Sequence, residues 1–245
     1  MRYIKHLLVF LFAITLTSCN FTENIYINED GSGKFSIEMD GSQLMSMMPE
    51  DSLKTQKAMD STYSFKQILE EKKDSISKLP KEQQERLKKL ENFNIRTVMN
   101  PEKKEFLFSM NTDFKSVSDL QDAMSTMSTV QGASKAKSDM LPGGGFGDNN
   151  SELKYSYDGK KFIRKATVLK KDILEVEEDS MKQAMNMFYE SSTYTVKYHF
   201  PKKVKKVSVE SAMYSEDRKT ITIEFPFSDY MKEPEKLNFE VEFEK

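Results

Sequence analysis

Residues 193–200, TYTVKYHF, alternate strictly between polar and apolar side chains, and this pattern decides the fold class. Two later segments repeat the alternation, TITIEF at 220–225 and LNFEVEFE at 237–244. A strand with one apolar and one polar face is typical of an antiparallel sheet that is buried on one side. The C-terminal region therefore predicts an antiparallel sheet packed on helices.

Three β-hairpins are predicted upstream of this sheet, each around a turn sequence with alternating apolar residues on both sides. The first turn is Asp30-Gly31-Ser32-Gly33 and the third contains Asp158-Gly159. The second surrounds residues 100–103 and pairs Ile95, Thr97 and Met99 with Phe106, Phe108 and Met110.

Helices are predicted between these hairpins from apolar residues at helical spacing. The region 42–93 predicts two or three helices interrupted near Pro49 and Pro80, a helix is expected after Ser116, and another is centred on Met185. Because strands and helices occur in blocks rather than in strict alternation, the predicted class is α+β, with antiparallel β-hairpins and the C-terminal sheet.

The N-terminus has the pattern of a secretory signal. The basic start MRYIKH precedes the apolar run LLVFLFAITL and then Leu16-Thr17-Ser18-Cys19. Such a run is too short to span a bilayer as a mature helix, so residues 1–18 are predicted to be a signal peptide.

Leu16-Thr17-Ser18-Cys19 resembles the lipobox of bacterial lipoproteins. The resemblance implies that the signal is cut before Cys19 and that this residue carries a diacylglyceryl thioether and a further acyl chain such as palmitate. Two or more acyl chains hold a protein stably on a membrane. The expected location is the cell envelope, and Asn20 after Cys19 favours the outer membrane facing the periplasm, by analogy with enterobacterial lipoproteins.

The expected mature chain has a lipid-anchored tether at 19–24 and a single α+β domain at 25–245. Residues 132–150, rich in Gly, Ser, Asn and Pro, predict a mobile loop. The alternative is a division at this loop into domains 25–131 and 151–245.

The last fifty residues also resemble LppM-type bacterial lipoproteins. The resemblance rests on Tyr194–Phe200 followed by Pro201, the strand Val204–Val209, the turn Ser215–Thr220 before an alternating strand, and Glu233-Pro234 before the last strand. It implies an α+β domain on a lipid anchor that recognises a lipid or glycolipid.

The sequence contains few candidates for catalytic or metal-binding residues. One Cys excludes an internal disulfide, and a net charge of −2 gives no indication of a nucleic-acid partner. Cleavage of the signal would leave His199, on the polar face of its strand, as the single imidazole. The Asn28–Gly33 segment resembles a calcium loop only in part, because Met39 stands where a glutamate ligand is needed. We therefore predict no catalytic, cofactor-binding or metal-binding residue, and lipidation at Cys19.

Lys202-Lys203-Val204-Lys205-Lys206 is the most basic segment. Its lysines are typical of an edge strand protected from aggregation, and the alternative is contact with anionic lipid headgroups.

The sequence favours an exported, lipid-anchored envelope protein that is not an enzyme and has a binding or assembly role. Its expected partners are the membrane, through the acyl chains on Cys19, and a protein partner or lipid ligand. One alternative is an LppM-like lipid- or glycolipid-binding lipoprotein. The other is a hydrolase whose catalytic carboxylates cannot be recognised from the sequence.

Overall fold

The computed structural model of the chain describes residues 21–120, 151–168 and 187–245. The described residues contain twelve strands: β1 Phe21–Ile27, β2 Gly33–Asp40, β3 Met59–Ser64, β4 Asn94–Asn100, β5 Glu105–Phe114, β6 Ser151–Tyr157, β7 Lys161–Val168, β8 Thr193–His199, β9 Val204–Val207, β10 Met213–Tyr214, β11 Thr220–Pro226 and β12 Phe239–Phe243. The helices with both ends described are α1 Ser42–Met47, α2 Glu50–Lys54, α3 Phe65–Glu71, α4 Lys73–Ile76, α5 Lys81–Lys89 and α6 Phe227–Lys232.

The strands form two sheets. The larger has eight strands in the order β10-β11-β8-β1-β2-β5-β4-β3, and the smaller has four in the order β6-β7-β12-β9. Neighbouring strands are antiparallel except for β1 and β8, the fourth and third strands of the larger sheet, which are parallel. The predicted α+β class is confirmed, and the C-terminal strands are divided between the sheets, with β8 and β11 in one and β9 and β12 in the other.

All three predicted hairpins are present. In the first, β1 pairs with β2, and the turn has Gly31 at φ 83°, a left-handed conformation that glycine adopts without strain. In the second, the predicted partners face each other, Ile95 opposite Met110 and Thr97 opposite Phe108. In the third, Tyr155 lies opposite Arg164, and Gly159 has φ 79°.

The core lies between the sheets and under the helices. Alternation along β1 places Phe21, Glu23 and Ile25 on one side of the eight-stranded sheet, here called the inner face, and Tyr26 on the opposite side, the outer face. The four-stranded sheet packs on the inner face at β1 and β8, where Phe162 contacts Tyr198 at 5.3 Å between ring centroids. Helical residues extend the same core, including Leu44, Phe65, Leu87 and Phe227.

The region 42–93 differs in part from its prediction. The helices do restart at the two prolines, since α2 begins after Pro49 and α5 after Pro80. However, β3 was predicted as part of a helix and is a strand. Its residues alternate only weakly in polarity, so pairing with β4 determines their conformation rather than any local pattern.

Several predictions fall on residues that the structure does not describe. Cys19 and the signal peptide lie outside the described residues, as do the predicted loop 132–150 and the helix around Met185, of which only residues 187–191 are described as helical. The helix expected after Ser116 is described only as a 3-10 turn at Val117–Leu120. Strands from before and after residues 121–150 share the eight-stranded sheet.

Candidate functional site

The first described residue already belongs to the core. Phe21 is fully buried, and its ring stacks on that of Phe227 with 3.8 Å between centroids. The predicted tether is therefore wrong from Phe21 onward, because residues 21–24 are part of β1. Phe21 is an apolar residue two positions before Glu23 and lies on the same side of β1. This continuation of the alternation is the signal in the sequence that the strand begins at Phe21.

A polar cluster lies between the two sheets; we call it the inter-sheet cluster, and it consists of Glu23, Tyr155, Arg164, Tyr194 and Tyr198. The tyrosine hydroxyls all donate hydrogen bonds to the Glu23 carboxylate, that of Tyr155 at 2.6 Å. Arg164 Nη2 lies 3.5 Å from Glu23 Oε2, and both side chains are 1% exposed. One buried carboxylate thus connects β1 and β8 of the larger sheet with β6 and β7 of the smaller.

Burial and charge shift the ionisation of this cluster. Burial first, and then the negative charge of Glu23, raise the pKa of Tyr155, Tyr194 and Tyr198 well above the usual value. Burial by itself would lower the pKa of Arg164, but the negative charge of Glu23 and the three surrounding phenol groups together outweigh burial, and the pKa is raised well above its usual value. The arginine is therefore a permanent cation, and the phenols stay protonated at neutral pH.

Arg164 has one further partner. Its Nη1 donates to the Leu237 carbonyl at 3.1 Å, whereas Nε is buried without a hydrogen bond to any described residue. Since the whole cluster is enclosed, its evident role is to join the sheets. Arg164 alternates with Phe162 and Ala166, and this register could have identified it as a buried charge before the structure was known.

The outer face of the eight-stranded sheet carries the exposed hydrogen-bonding groups. Near the β1–β2 turn it forms a depression of about 560 Å³, which we call the amide depression. Its floor and rim contain three asparagines and two opposite charges, Lys34 and Asp113, and the full lining is Tyr26, Lys34, Phe35, Ser36, Asn92, Asn94, Asn111, Thr112 and Asp113. Amide and hydroxyl groups on a rigid sheet can form directional hydrogen bonds with a polar partner.

A second depression of about 520 Å³ lies on the outer face toward the start of β1. It includes Glu38, Asp40 and Glu105, so we call it the acidic depression. Arg96 also lines it and makes a bidentate ion pair with Asp60 at 3.0 Å for both bonds, which lowers the pKa of Asp60. Asp40 accepts a hydrogen bond from the Ser42 backbone N–H at 2.9 Å.

His199 lies on the polar face, as predicted, but it is half-buried. Its ring stacks on Tyr26 with 3.9 Å between centroids and 3° between planes, and Nδ1 lies 2.9 Å from Thr220 Oγ1. A position on the polar face of a strand would leave His199 exposed, but these contacts cover part of its side chain. Burial and then the charge of Lys197 lower its pKa.

Local structure explains two further segments that the sequence analysis considered, the Asn28–Gly33 segment and the basic segment. The Asp30 carboxylate accepts hydrogen bonds from the Ser32 backbone at 3.0 Å and the Ser32 hydroxyl at 2.6 Å, so it acts within its turn. The edge-strand prediction for the basic segment is confirmed, since β9 is the last strand of its sheet, with Val204 buried and Lys205 and Lys206 exposed.

Within the described residues, no three His, Cys, Asp or Glu side chains are grouped closely enough to hold a metal ion. The same part of the chain contains no helix of the length and apolarity needed to cross a bilayer. No protein-family model, curated protein or solved structure matches this chain.

Proposed function

We propose that this chain is an exported, lipid-anchored envelope protein that has no catalytic role and binds a polar partner on the outer face of its eight-stranded sheet. The anchor is proposed from the sequence, with Cys19 as the acylated residue. The binding surface is proposed from one observation: the hydrogen-bonding groups of the amide depression are exposed on a sheet whose other face is fixed by the core.

The chemistry of the depression favours a partner with many hydrogen-bonding groups. Asn94, Asn111 and Asp113 are exposed, and the half-exposed ring of Tyr26 at the edge offers a flat apolar surface beside them. Directional polar groups around one aromatic face suit a polypeptide segment or a glycan. The LppM-like alternative, a lipid ligand, would need a predominantly apolar lining, which this depression does not have.

Site-specific photo-crosslinking in intact cells tests the binding proposal. A photoreactive residue replaces Asn111 in the amide depression, and the matched control replaces Lys73 on α4, on the helical side of the molecule. We expect a discrete adduct from position 111 only, and we expect N94R in the same chain to reduce its yield. Equal adducts at both positions, or an adduct that N94R does not change, would contradict the proposal.

The hydrolase alternative is tested on the same face, because the acidic depression contains the carboxylates Glu38 and Glu105. The double variant E38Q/E105Q should leave both the adduct at position 111 and the cellular phenotype unchanged if binding is the function. Loss of the phenotype with an unchanged adduct would favour the hydrolase.

Lipidation is tested separately with C19S. This variant should accumulate as a precursor that is not labelled by an acyl analogue. Labelling of C19S at the level of the wild-type protein would refute the anchor.

A further inference from the structure

The chain between the proposed anchor and the folded core is short. Asn20 is the single residue between Cys19 and Phe21, and Phe21 is fully buried. Two residues of chain span at most about 7 Å, so covalent geometry keeps the Cys19 backbone this close to the core. A flexible tether of a dozen residues would instead allow an average reach of about 20 Å.

This short link identifies one end of the molecule, which we call the anchored end. Phe21 lies opposite Met39 of β2 and Tyr194 of β8, so the anchored end includes the end of β2 and the start of β8. β1 has seven residues and extends about 20 Å from there. The opposite end contains the β1–β2 turn at residues 28–32 and the chain that follows His199.

Exposed apolar side chains occur at the anchored end. Met47 is 40% exposed on α1, which follows the end of β2, and Leu107 is 38% exposed opposite Asp40. Met187 is 62% exposed and precedes Phe188, whose ring lies 5.9 Å from that of Phe21. Shallow contact with the headgroup region would cover such side chains.

The basic segment is at the other end. It begins three residues after His199, which lies opposite Tyr26 near the end of β1, and Lys202 Nζ donates to the Gly159 carbonyl in the β6–β7 turn. Its lysines are therefore remote from the bilayer that would hold Cys19. Met47, Leu107 and Met187, rather than these lysines, are in position to meet that bilayer.

We propose that the anchored end rests on the surface of the bilayer that carries the acyl chains, with Met47, Leu107 and Met187 in contact with lipid headgroups. This inference rests on the proposed lipidation of Cys19. The strands of the eight-stranded sheet then point away from the membrane, and the acidic depression lies beside the headgroups. The amide depression, four residues away along β2, is held about 13 Å further out.

Tryptophan fluorescence tests this orientation, because the chain has no tryptophan and each introduced one is a unique reporter. M187W reports on the anchored end, and E29W, in the exposed β1–β2 turn, is the matched control. Each full-length lipidated protein is placed in phosphatidylethanolamine–phosphatidylglycerol vesicles that contain a lipid with a nitroxide on its headgroup. We expect quenching of M187W to be several-fold stronger than that of E29W, and L107W to behave like M187W.

Two measurements separate the failure of this inference from the failure of the proposed function. The acyl mass on Cys19 and flotation with the vesicles test the anchor itself, and absence of either refutes the proposed function. Acylated, floating protein with equal quenching at both positions, or with stronger quenching of E29W, overturns the orientation.

A linker variant adds a control for the short connection. Insertion of about a dozen Gly and Ser residues after Asn20 should preserve flotation but reduce quenching of M187W to the level of E29W, because the domain can then leave the surface. Unchanged quenching of M187W in this variant would overturn the role of the short link.

Discussion

The two faces of β1 differ in what their polar side chains do. On the inner face, Glu23 is 1% exposed and is bonded to three phenols and one guanidinium. On the outer face, Tyr26 is 48% exposed beside the amide depression. Residue type alone therefore does not identify a functional group in this fold: the Glu23 carboxylate is enclosed between the sheets, whereas the Asn94 and Asn111 amides on the outer face are exposed.

The largest expected effect comes from removing the carboxylate of the inter-sheet cluster. E23A leaves Arg164 as a buried cation and three phenols without their acceptor, so the free energy of unfolding should fall by about 3–5 kcal/mol. Denaturant unfolding of a soluble form that begins at Asn20 measures this loss.

The double variant E23L/R164M is the control for E23A. It removes both charges and should be more stable than E23A alone, since no unpaired ion remains. A loss below about 1 kcal/mol for E23A would show that the cluster does not hold the sheets together.

R164M should be less damaging than E23A. The Glu23 carboxylate keeps its three phenol donors, so the expected loss is at the lower end of the same range, about 3 kcal/mol. A loss greater than that of E23A, in the same unfolding experiment, would reverse the assigned order of importance.

Y198F should lower the free energy of unfolding by about 1.5 kcal/mol at neutral pH, because it removes one hydrogen bond to a charged group.

The buried phenols also predict an alkaline limit to stability. Their pKa values are raised in the folded state, so the unfolded chain releases protons first and stability falls as pH rises above about 10.

The predicted alkaline limit is tested by measuring unfolding across alkaline pH and recording phenolate absorbance in parallel. Three phenols should ionise only on unfolding, and Y198F should show a shallower loss. Ionisation of all tyrosines in the native state would contradict it.

H199N should have a smaller effect, a loss of about 1 kcal/mol at pH 8, because it removes the ring stack with Tyr26. Its pH dependence has a defined sign. The pKa of His199 is lowered in the folded state, so the wild-type protein loses stability as pH falls below about 6.5, whereas H199N lacks this loss. The difference between the two proteins should therefore narrow in acid, and widening in acid would contradict the assignment.

The smallest expected change in stability is that of N111A on the outer face, within about 0.5 kcal/mol of wild type. If the amide depression binds a partner, this variant should nevertheless weaken binding, as judged by the crosslinking yield from a photoreactive residue at Ser36. A large loss of stability would place Asn111 with the structural residues and remove the contrast between the faces.

The features that could be predicted from the sequence are formed by residues that lie close together along the chain. Asp-Gly turns and alternating residues predicted the hairpins, including the register of Ile95 with Met110. The parallel pairing of β1 with β8 could not be predicted, because nothing in either strand specifies a partner so remote in sequence. The inter-sheet cluster depends on that pairing. Its two charged residues nevertheless alternate with buried apolar residues along their own strands, and this alternation indicates that they are buried.

The amide depression had no signal in the sequence. Asn94 and Asn111 come from different strands, and their individual positions are ordinary for polar residues on an exposed sheet face. Only the order of β1, β2, β5 and β4 brings them together with Tyr26, and this order is a property of the whole sheet.

The place of β1 in its sheet also determines when the molecule can finish folding. β1 is synthesised before every other described strand, and its hairpin with β2 can form at once, yet Glu23 lies 171 and 175 residues from Tyr194 and Tyr198. Contacts between residues this far apart form slowly, because the intervening chain must first be closed into a loop. The centre of the sheet therefore stays open until nearly the whole polypeptide has been made, and a chain interrupted before residue 193 would leave Glu23 and one side of β1 exposed to proteases.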